Sequence, residues 1–330
     1  MAIQDGAQLM EVMRGYQVPC ILAAAVELDL LAKLVPGART ATEVAVAADC
    51  DLRATTIVLD ALAAVGVIVK HGQRYSLSTA LVPYLSEESG QSVLAMLRHQ
   101  ANCLRRWSRL PWTVRAGVPD SPGPSIRGEE ADQASFIEAM HVISRDIADE
   151  LIQEIHPGGV HCVLDLGGAS GSWTLAWLKA EPAARAIIFD LPHVIPMARA
   201  RLAATPFADR VDLVPGDFDC DTLPTGADVV WVSAIIHQNS PEQNRALFRR
   251  VAQALTPRGW IYIRDIVLEA SRTAPVAGAL FAVNMLAATE AGNSYSLADI
   301  QESLQAAGFV DVELVRRDEG MHSIVRARVR

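Results

Sequence analysis

Three glycines, Gly167, Gly168 and Gly171, follow an apolar run over 162–166 and precede Leu175, Ala176 and Leu178 at helical spacing. A buried strand, a tight turn and a helix start fit that pattern. Glycines let the backbone take angles closed to other residues and let a ligand touch the main chain. The first amides of the helix are free to meet a negative group. Spacing narrows the ligand. A phosphate-cradling loop needs a Gly-Lys-Ser/Thr ending, absent here. A dinucleotide turn needs Gly-x-Gly-x-x-Gly, and after Gly167 the second and third places hold Ala169 and Ser172. A second apolar run, 186–189, closes on Asp190, where an acid can bind a ribose diol. Taken singly, these are a plain turn and a plain loop acid; together they favour a nucleoside without a pyrophosphate.

These residues need a frame. From Val160 onward the chain alternates strand and helix. Strands are expected near 161–166, 185–190, 210–215, 228–233 and 260–267, and helices near 172–180, 193–204 and 241–255. Such alternation predicts a mostly parallel, doubly wound sheet of the α/β class. Ligands bind beyond the carboxyl ends of its strands, where Asp165, Asp190, Asp217 and His237 all fall. After Gly308, residues 309–316 and 322–329 read as two more strands with no helix between, hence an antiparallel hairpin, for seven in all.

Upstream, 7–34 reads as a helix kinked or split at Pro19. Its apolar surface exceeds what one small domain buries, so a subunit interface competes with burial inside the chain. Thr42 is expected to cap a short helix through Ala47, and Asp51 a second through Ala64. A hairpin around His71-Gly72 follows. Helix, helix and hairpin is a winged-helix order. Its use for DNA is rejected, because Arg39, Arg53, Lys70 and Arg74 are matched by Glu43, Asp49, Asp51 and Asp60. Helices are expected over 91–116 and 131–155, with a Pro/Gly-rich loop over 117–128. Phe136, Met140 and Ile143 form a stripe on the later helix, with Ser144 beside them. The division implied is 1–100 for the winged-helix part and 101–330 for the ligand-binding part, with 101–156 as bridging helices.

The 330 residues are 51% hydrophobic with a formal net charge of -9. A large core is expected, and nucleic acid or an anionic membrane is disfavoured as partner. Cys20, Cys50, Cys103, Cys162 and Cys220 are scattered, with no Cys-x-x-Cys, as expected of reduced thiols in a cytoplasmic protein. The longest apolar run, 21–32, is broken by Glu27 and Asp29, so no membrane span is expected. No carboxylate cluster has metal-ligand spacing.

The ordered series of motifs resembles the S-adenosylmethionine-dependent class I O-methyltransferases of the plant caffeate and bacterial polyketide or phenazine type. The matching pieces are Asp165-Leu166-Gly167-Gly168-Ala169-Ser170-Gly171, Phe189-Asp190-Leu191-Pro192 and Pro215-Gly216-Asp217-Phe218, then Ser233-Ala234-Ile235-Ile236-His237 and Ala306-Ala307-Gly308-Phe309. The resemblance covers nearly the whole chain. It implies a Rossmann-like methyltransferase fold with an N-terminal winged-helix dimerisation domain, a homodimer, and S-adenosyl-L-methionine as cofactor. It implies that Gly167, Gly168 and Gly171 hold the methionyl part, that Ser144 helps hold its carboxylate, and that Asp190 accepts from the ribose hydroxyls. Asp217 and Phe218 would bracket the adenine, with Ser233 near the cofactor. His237 would be the general base, taking the proton of a hydroxyl on a small aromatic or polyketide-like acceptor. Met140, Asn284 and Met285 would line the acceptor pocket.

Two stretches depart from the family pattern. His-Asp-Trp is replaced by His237-Gln238-Asn239, so Asn239 or Trp173 is expected to fill the adenine flank. The glutamate that orients the histidine falls at Asn293, with Glu290 three residues earlier as the other candidate. A second reading is therefore a relative that keeps the cofactor but runs a hydroxylation, decarboxylation or ring closure. A nicotinamide-dependent dehydrogenase is argued against by the glycine spacing.

Overall fold

The computed structural model describes residues 3–168 and 170–330. Two compact units divide the chain: Met1–Ser108 with Pro122–Val142, and Arg109–Ser121 with Ile143–Arg330.

The first unit opens with α1 (Gly6–Arg14), capped by Asp5, whose carboxylate accepts from the Gln8 amide, and α2 (Gln17–Glu27). The break falls at Gly15–Tyr16, not at Pro19. Pro19 is in the first turn of α2, where its missing N–H has no intrahelical acceptor to lose. Together Gly6–Glu27 are long and apolar enough to cross a bilayer by length and composition. Leu9, Met10, Val12, Met13 and Tyr16 are exposed on this unit, an apolar surface that asks for a partner.

Next come β1 (Arg39–Thr40), α3 (Ala41–Ala47), α4 (Leu52–Ala64), β2 (Ile68–His71) and β3 (Arg74–Leu77). Thr40, not Thr42, caps α3: it is extended and forms a capping box with Glu43. Strands β1 and β2 flank β3 antiparallel. Short α5 (Val82–Leu85) leads to α6 (Leu94–Trp107). The helix expected over 91–116 stops there, and α7 (Leu110–Ala116), with Pro111 in its first turn, belongs to the second unit. The helix expected over 131–155 is also two, α8 (Glu129–Arg145) and α9 (Ala148–Ile155).

The second unit is built on β4 (Cys162–Leu166), α10 (Ser172–Ala180), β5 (Arg185–Asp190), α11 (Ile195–Leu202), β6 (Val211–Pro215), β7 (Ala227–Ser233), α12 (Pro241–Ala254) and β8 (Leu255–Asp265). After them come β9 (Val267–Leu268), α13 (Val276–Ala288), β10 (Tyr295–Ser296), α14 (Leu297–Ala306), β11 (Phe309–Arg316) and β12 (Ser323–Val329). The sheet has seven strands in the order β11-β12-β8-β7-β4-β5-β6. The five strands from β8 to β6 run parallel, and the closing hairpin of β11 and β12 adds antiparallel. Side chains alternate between its faces. Leu164, Val230 and Ile261 pack on one side with Leu247 and Phe248 of α12. Val163, Trp231 and Tyr262 pack on the other with Trp177 of α10 and Ile152 of α9. Strand β4 pairs with β7 on one side and β5 on the other, so chain order reverses there and opens a crevice at the carboxyl ends.

Candidate active site

The carboxyl ends of β4, β5, β6 and β7 carry the glycine turn, Asp190, Asp217-Phe218 and Ser233 respectively. Backbone bonds tie these ends together: Gly167 donates to the Phe189 carbonyl and Gly216 to the Asp190 carbonyl, both at 2.9 Å. Gly167 and Gly171 have left-handed φ of 67° and 69°. Gly168 has no room for a side chain, since a Cβ would lie 2.6 Å from the Asp165 carboxyl carbon. Ala169, within this turn, lies outside the described residues.

Asp165 is the floor beneath the turn. It is buried, and the Thr174 hydroxyl donates to its Oδ2 at 2.6 Å. Burial pushes its carboxyl up to about 7, with the Asp190 charge adding to the rise. Asp190 is itself buried, and its Oδ1 accepts from the Leu191 amide at 2.7 Å. Asp217 caps its own turn, accepting from the Asp219 amide at 2.8 Å. The Phe218 ring reaches back to the glycines, with its Cε1 3.7 Å from where a Gly167 Cβ would stand. Ser144 is buried on α8 within the second unit. The cradle fits a nucleoside with an amino-acid tail: open main chain at the turn, a buried carboxylate beside it and an aromatic ring at its edge.

Asn239 and Trp173, expected at the adenine flank, are both engaged with the scaffold. The Asn239 amide turns inward and donates to Asn244 Oδ1 at 3.1 Å, and Asn244 donates in turn to the Ile236 carbonyl at 2.9 Å. Trp173 is buried against Trp231, ring centres 5.2 Å apart. Both side chains are spent on the scaffold.

His237 is on a short turn after β7 and is 6% exposed. Its Nδ1 faces both carboxylate oxygens of Asp265, each at 2.9 Å. Asp265, the last residue of β8, is buried and fixed by the Ile266 amide, which donates to Oδ1 at 2.8 Å. The expectation that Asn293 or Glu290 orients the ring is therefore corrected. Glu290 is exposed, and the Asn293 side chain accepts from its neighbour Ser294. What Asn293 gives His237 is its backbone N–H, donated to the His237 carbonyl at 2.9 Å. A carboxylate partner leaves the Nδ1 position protonated and Nε2 as the basic nitrogen. The Phe281 ring of α13 lies perpendicular to the imidazole, centres 4.8 Å apart.

The surrounding turn is braced from below. The short parallel pair β9–β10 holds Tyr295 and Ser296 beside Val267 and Leu268, just past the end of β8. The Tyr295 hydroxyl donates to the Asn239 carbonyl, and burial pushes its pKa up to about 12, so it stays a donor. Ala234, the residue after β7, has a left-handed φ of 58°, a conformation uncommon for a residue with a Cβ.

Asn284 and Met285 sit on α13 in the second unit, half-buried and buried respectively, while Met140 is half-buried in the first unit. Among the described residues, no group of three or more His, Cys, Asp or Glu is placed to hold a metal ion. Sequence reasoning missed Asp265 and Phe281. The first had a signal, since an acid interrupts the apolar run of β8 at the edge where the other site residues gather.

Comparison with known proteins agrees with this geometry. A family model for the O-methyltransferase domain matches residues 107–310, and one for the O-methyltransferase dimerisation domain matches residues 10–86. The chain is 31% identical over 303 residues to 3-hydroxy-5-methyl-1-naphthoate 3-O-methyltransferase of Streptomyces sahachiroi, covering 89% of this chain and 87% of that one. It is also 31% identical, over 297 residues, to the tetracenomycin polyketide synthesis 8-O-methyl transferase of Streptomyces glaucescens, covering 88% and 87%. Human N-acetylserotonin methyltransferase in complex with S-adenosylmethionine shares the fold, with a TM-score of 0.83 at 23% identity over 100% of this chain and 99% of that one. The chain belongs to the S-adenosylmethionine-dependent O-methyltransferases of small-molecule type and carries their dimerisation domain.

Proposed function

We propose that the protein transfers a methyl group to a hydroxyl of a small aromatic or polyketide-like metabolite, with His237 as general base and Asp265 as the group that orients it. The observation that carries this reading is the buried His237–Asp265 pair at the edge where the glycine turn and Asp190 meet. S-adenosylmethionine supplies an electrophilic methyl on a sulfonium. Gly167, Gly168 and Gly171 give the tail a bare main chain to lie against. Asp190 accepts from the ribose diol, and Asp217 and Phe218 flank the base. With the cofactor bound, His237 Nε2 would take the acceptor's hydroxyl proton as the oxygen bonds to the methyl carbon and the methyl–sulfur bond breaks, S-adenosylhomocysteine leaving as the neutral thioether and the imidazolium facing the Asp265 carboxylate. Holding oxygen, methyl and sulfur in line supplies much of the rate. Asn284 and Met285 are assigned to the acceptor side.

The winged-helix order of the first unit is assigned to pairing two copies, supported by the dimerisation-domain match and the exposed apolar side chains of α1 and α2. Incubation with methyl-labelled cofactor and a panel of phenols and naphthols tests the reading. Label in the product is expected. Cofactor binding with no label in any product would turn the reading towards a non-methylating reaction.

A further inference from the structure

Arg264 lies on β8, 1% exposed, on the face opposite Ile263. Among the described residues no carboxylate bonds its guanidinium, although Asp265 and Asp318 are near enough to act on its charge. Nη1 donates to the Ser233 hydroxyl at 2.9 Å, and Nε donates to His322 Nδ1 at 3.2 Å. Its Cζ stands 4.7 Å from the centre of the Trp173 ring. Nη2 is buried and has no hydrogen-bond partner among the described residues.

Nearby carboxylates are engaged elsewhere. Asp265 holds His237 and the Ile266 amide. Asp318 accepts from the Gly320 and His322 amides and faces Arg316. His322 offers a lone pair only: burial and the Arg264 charge push its pKa down to about 4. Burial lowers Arg264 itself to about 10, which still leaves it cationic at neutral pH. A buried cation with no carboxylate bonded to it is unfavourable, and an unpaired donor beside it more so. An unsatisfied buried donor calls for a partner, and the anionic group of a ligand is one that also supplies the charge.

Position says which ligand. Ser233 ends β7 at the crevice, and Trp173 is in the first turn of α10, two residues past Gly171. Both border the seat assigned above to the cofactor's methionyl end, on which this inference rests. That end carries an amine, a sulfonium and one anion, the α-carboxylate. We propose that Arg264 is the counter-ion for the α-carboxylate of S-adenosylmethionine, reached through its unpaired Nη2 beside Ser233. Arg264 is then a specificity residue for the amino-acid end of the cofactor. Ser144, assigned to the same carboxylate by resemblance, is a neutral partner, and Arg264 supplies the charge.

The test is calorimetric titration of wild type and Arg264→Met with S-adenosylhomocysteine and with its decarboxylated analogue. Wild type should bind the carboxylated ligand at least tenfold more tightly than the analogue. In Arg264→Met that preference should collapse, with the analogue bound within twofold of wild type. Without ligand, Arg264→Met should melt no lower than wild type, because an unpaired buried charge has gone; a merely structural arginine would lower the melting temperature. Arg264→Lys should keep an intermediate preference and stands in if the methionine variant does not fold. Equal weakening for both ligands, an unchanged preference, or a wild type that binds the two alike would overturn the assignment. Wild type binding neither nucleoside would instead overturn the cofactor seat, and this inference with it.

Discussion

The Nδ1 of His237 and the two carboxylate oxygens of Asp265, at the ends of adjacent strands β7 and β8, meet at 2.9 Å in a buried pocket. An imidazole held this way has one orientation and one tautomer, and it gains an adjacent negative charge when it accepts a proton. Asp265→Asn keeps the shape, loses the charge and lets the amide press a donor against Nδ1. We expect kcat to fall by roughly two to four orders of magnitude with cofactor affinity nearly unchanged. Single-turnover rates beside a cofactor titration check this, and a variant within threefold of wild type would remove Asp265 from the mechanism.

Gly292 is the second support of the same histidine. A Cβ at this position would collide with the His237 carbonyl and the Thr289 hydroxyl, and the neighbouring Asn293 amide bonds that carbonyl at 2.9 Å. Gly292→Ala should push the turn away from the crevice. The expected result is about a tenfold or greater loss of kcat with cofactor affinity kept, since a small misplacement of a catalytic group is costly. Loss of cofactor binding as well would mean that the turn supports the crevice as a whole.

What was legible in the sequence follows from how local each feature is. The glycine turn, the strands around it and the closing hairpin announce themselves through short-range pattern: apolar runs, glycines and the lack of a helix between 316 and 323. The cap of α3 falls two residues before the expected Thr42 because Thr40 and Thr42 are both competent caps, and only the capping box with Glu43 separates them. The partner of His237 was out of reach for a different reason. Asp265 is 28 residues away along the chain, and only the parallel register of Ser233 with Arg264 brings them together. Asn293 is close in space but contributes its main chain, which no residue type advertises.

Asp190 carries the prediction on cofactor affinity. It is buried at the tip of β5, with one oxygen fixed by the Leu191 amide at 2.7 Å. Hydrogen bonds from a diol to a carboxylate are charge-assisted and contribute about 1.5–3 kcal/mol. Asp190→Ala should therefore weaken S-adenosylhomocysteine roughly ten- to hundredfold, with 2′-deoxy nucleosides losing less than the ribonucleoside. Unchanged affinity by calorimetry would count against the ribose role.

Asp165 gives a pH dependence whose sign can be worked out. Burial raises its folded-state pKa from 3.8 to about 7, so unfolding releases a proton between those values. The unfolded chain binds fewer protons there, and stability falls as pH rises through the window. A shift of this size corresponds to about 4 kcal/mol, fully lost above pH 7. Asp165→Asn keeps an oxygen to accept from Thr174 Oγ1 at the same site and cannot ionise. Its melting temperature relative to wild type should therefore rise between pH 5 and pH 8, whatever other groups titrate in both proteins. Parallel thermal unfolding of the two proteins at those pH values checks this. A constant difference would mean that Asp165 ionises in the folded protein as readily as in the unfolded one, and that the floor of the glycine turn is charged.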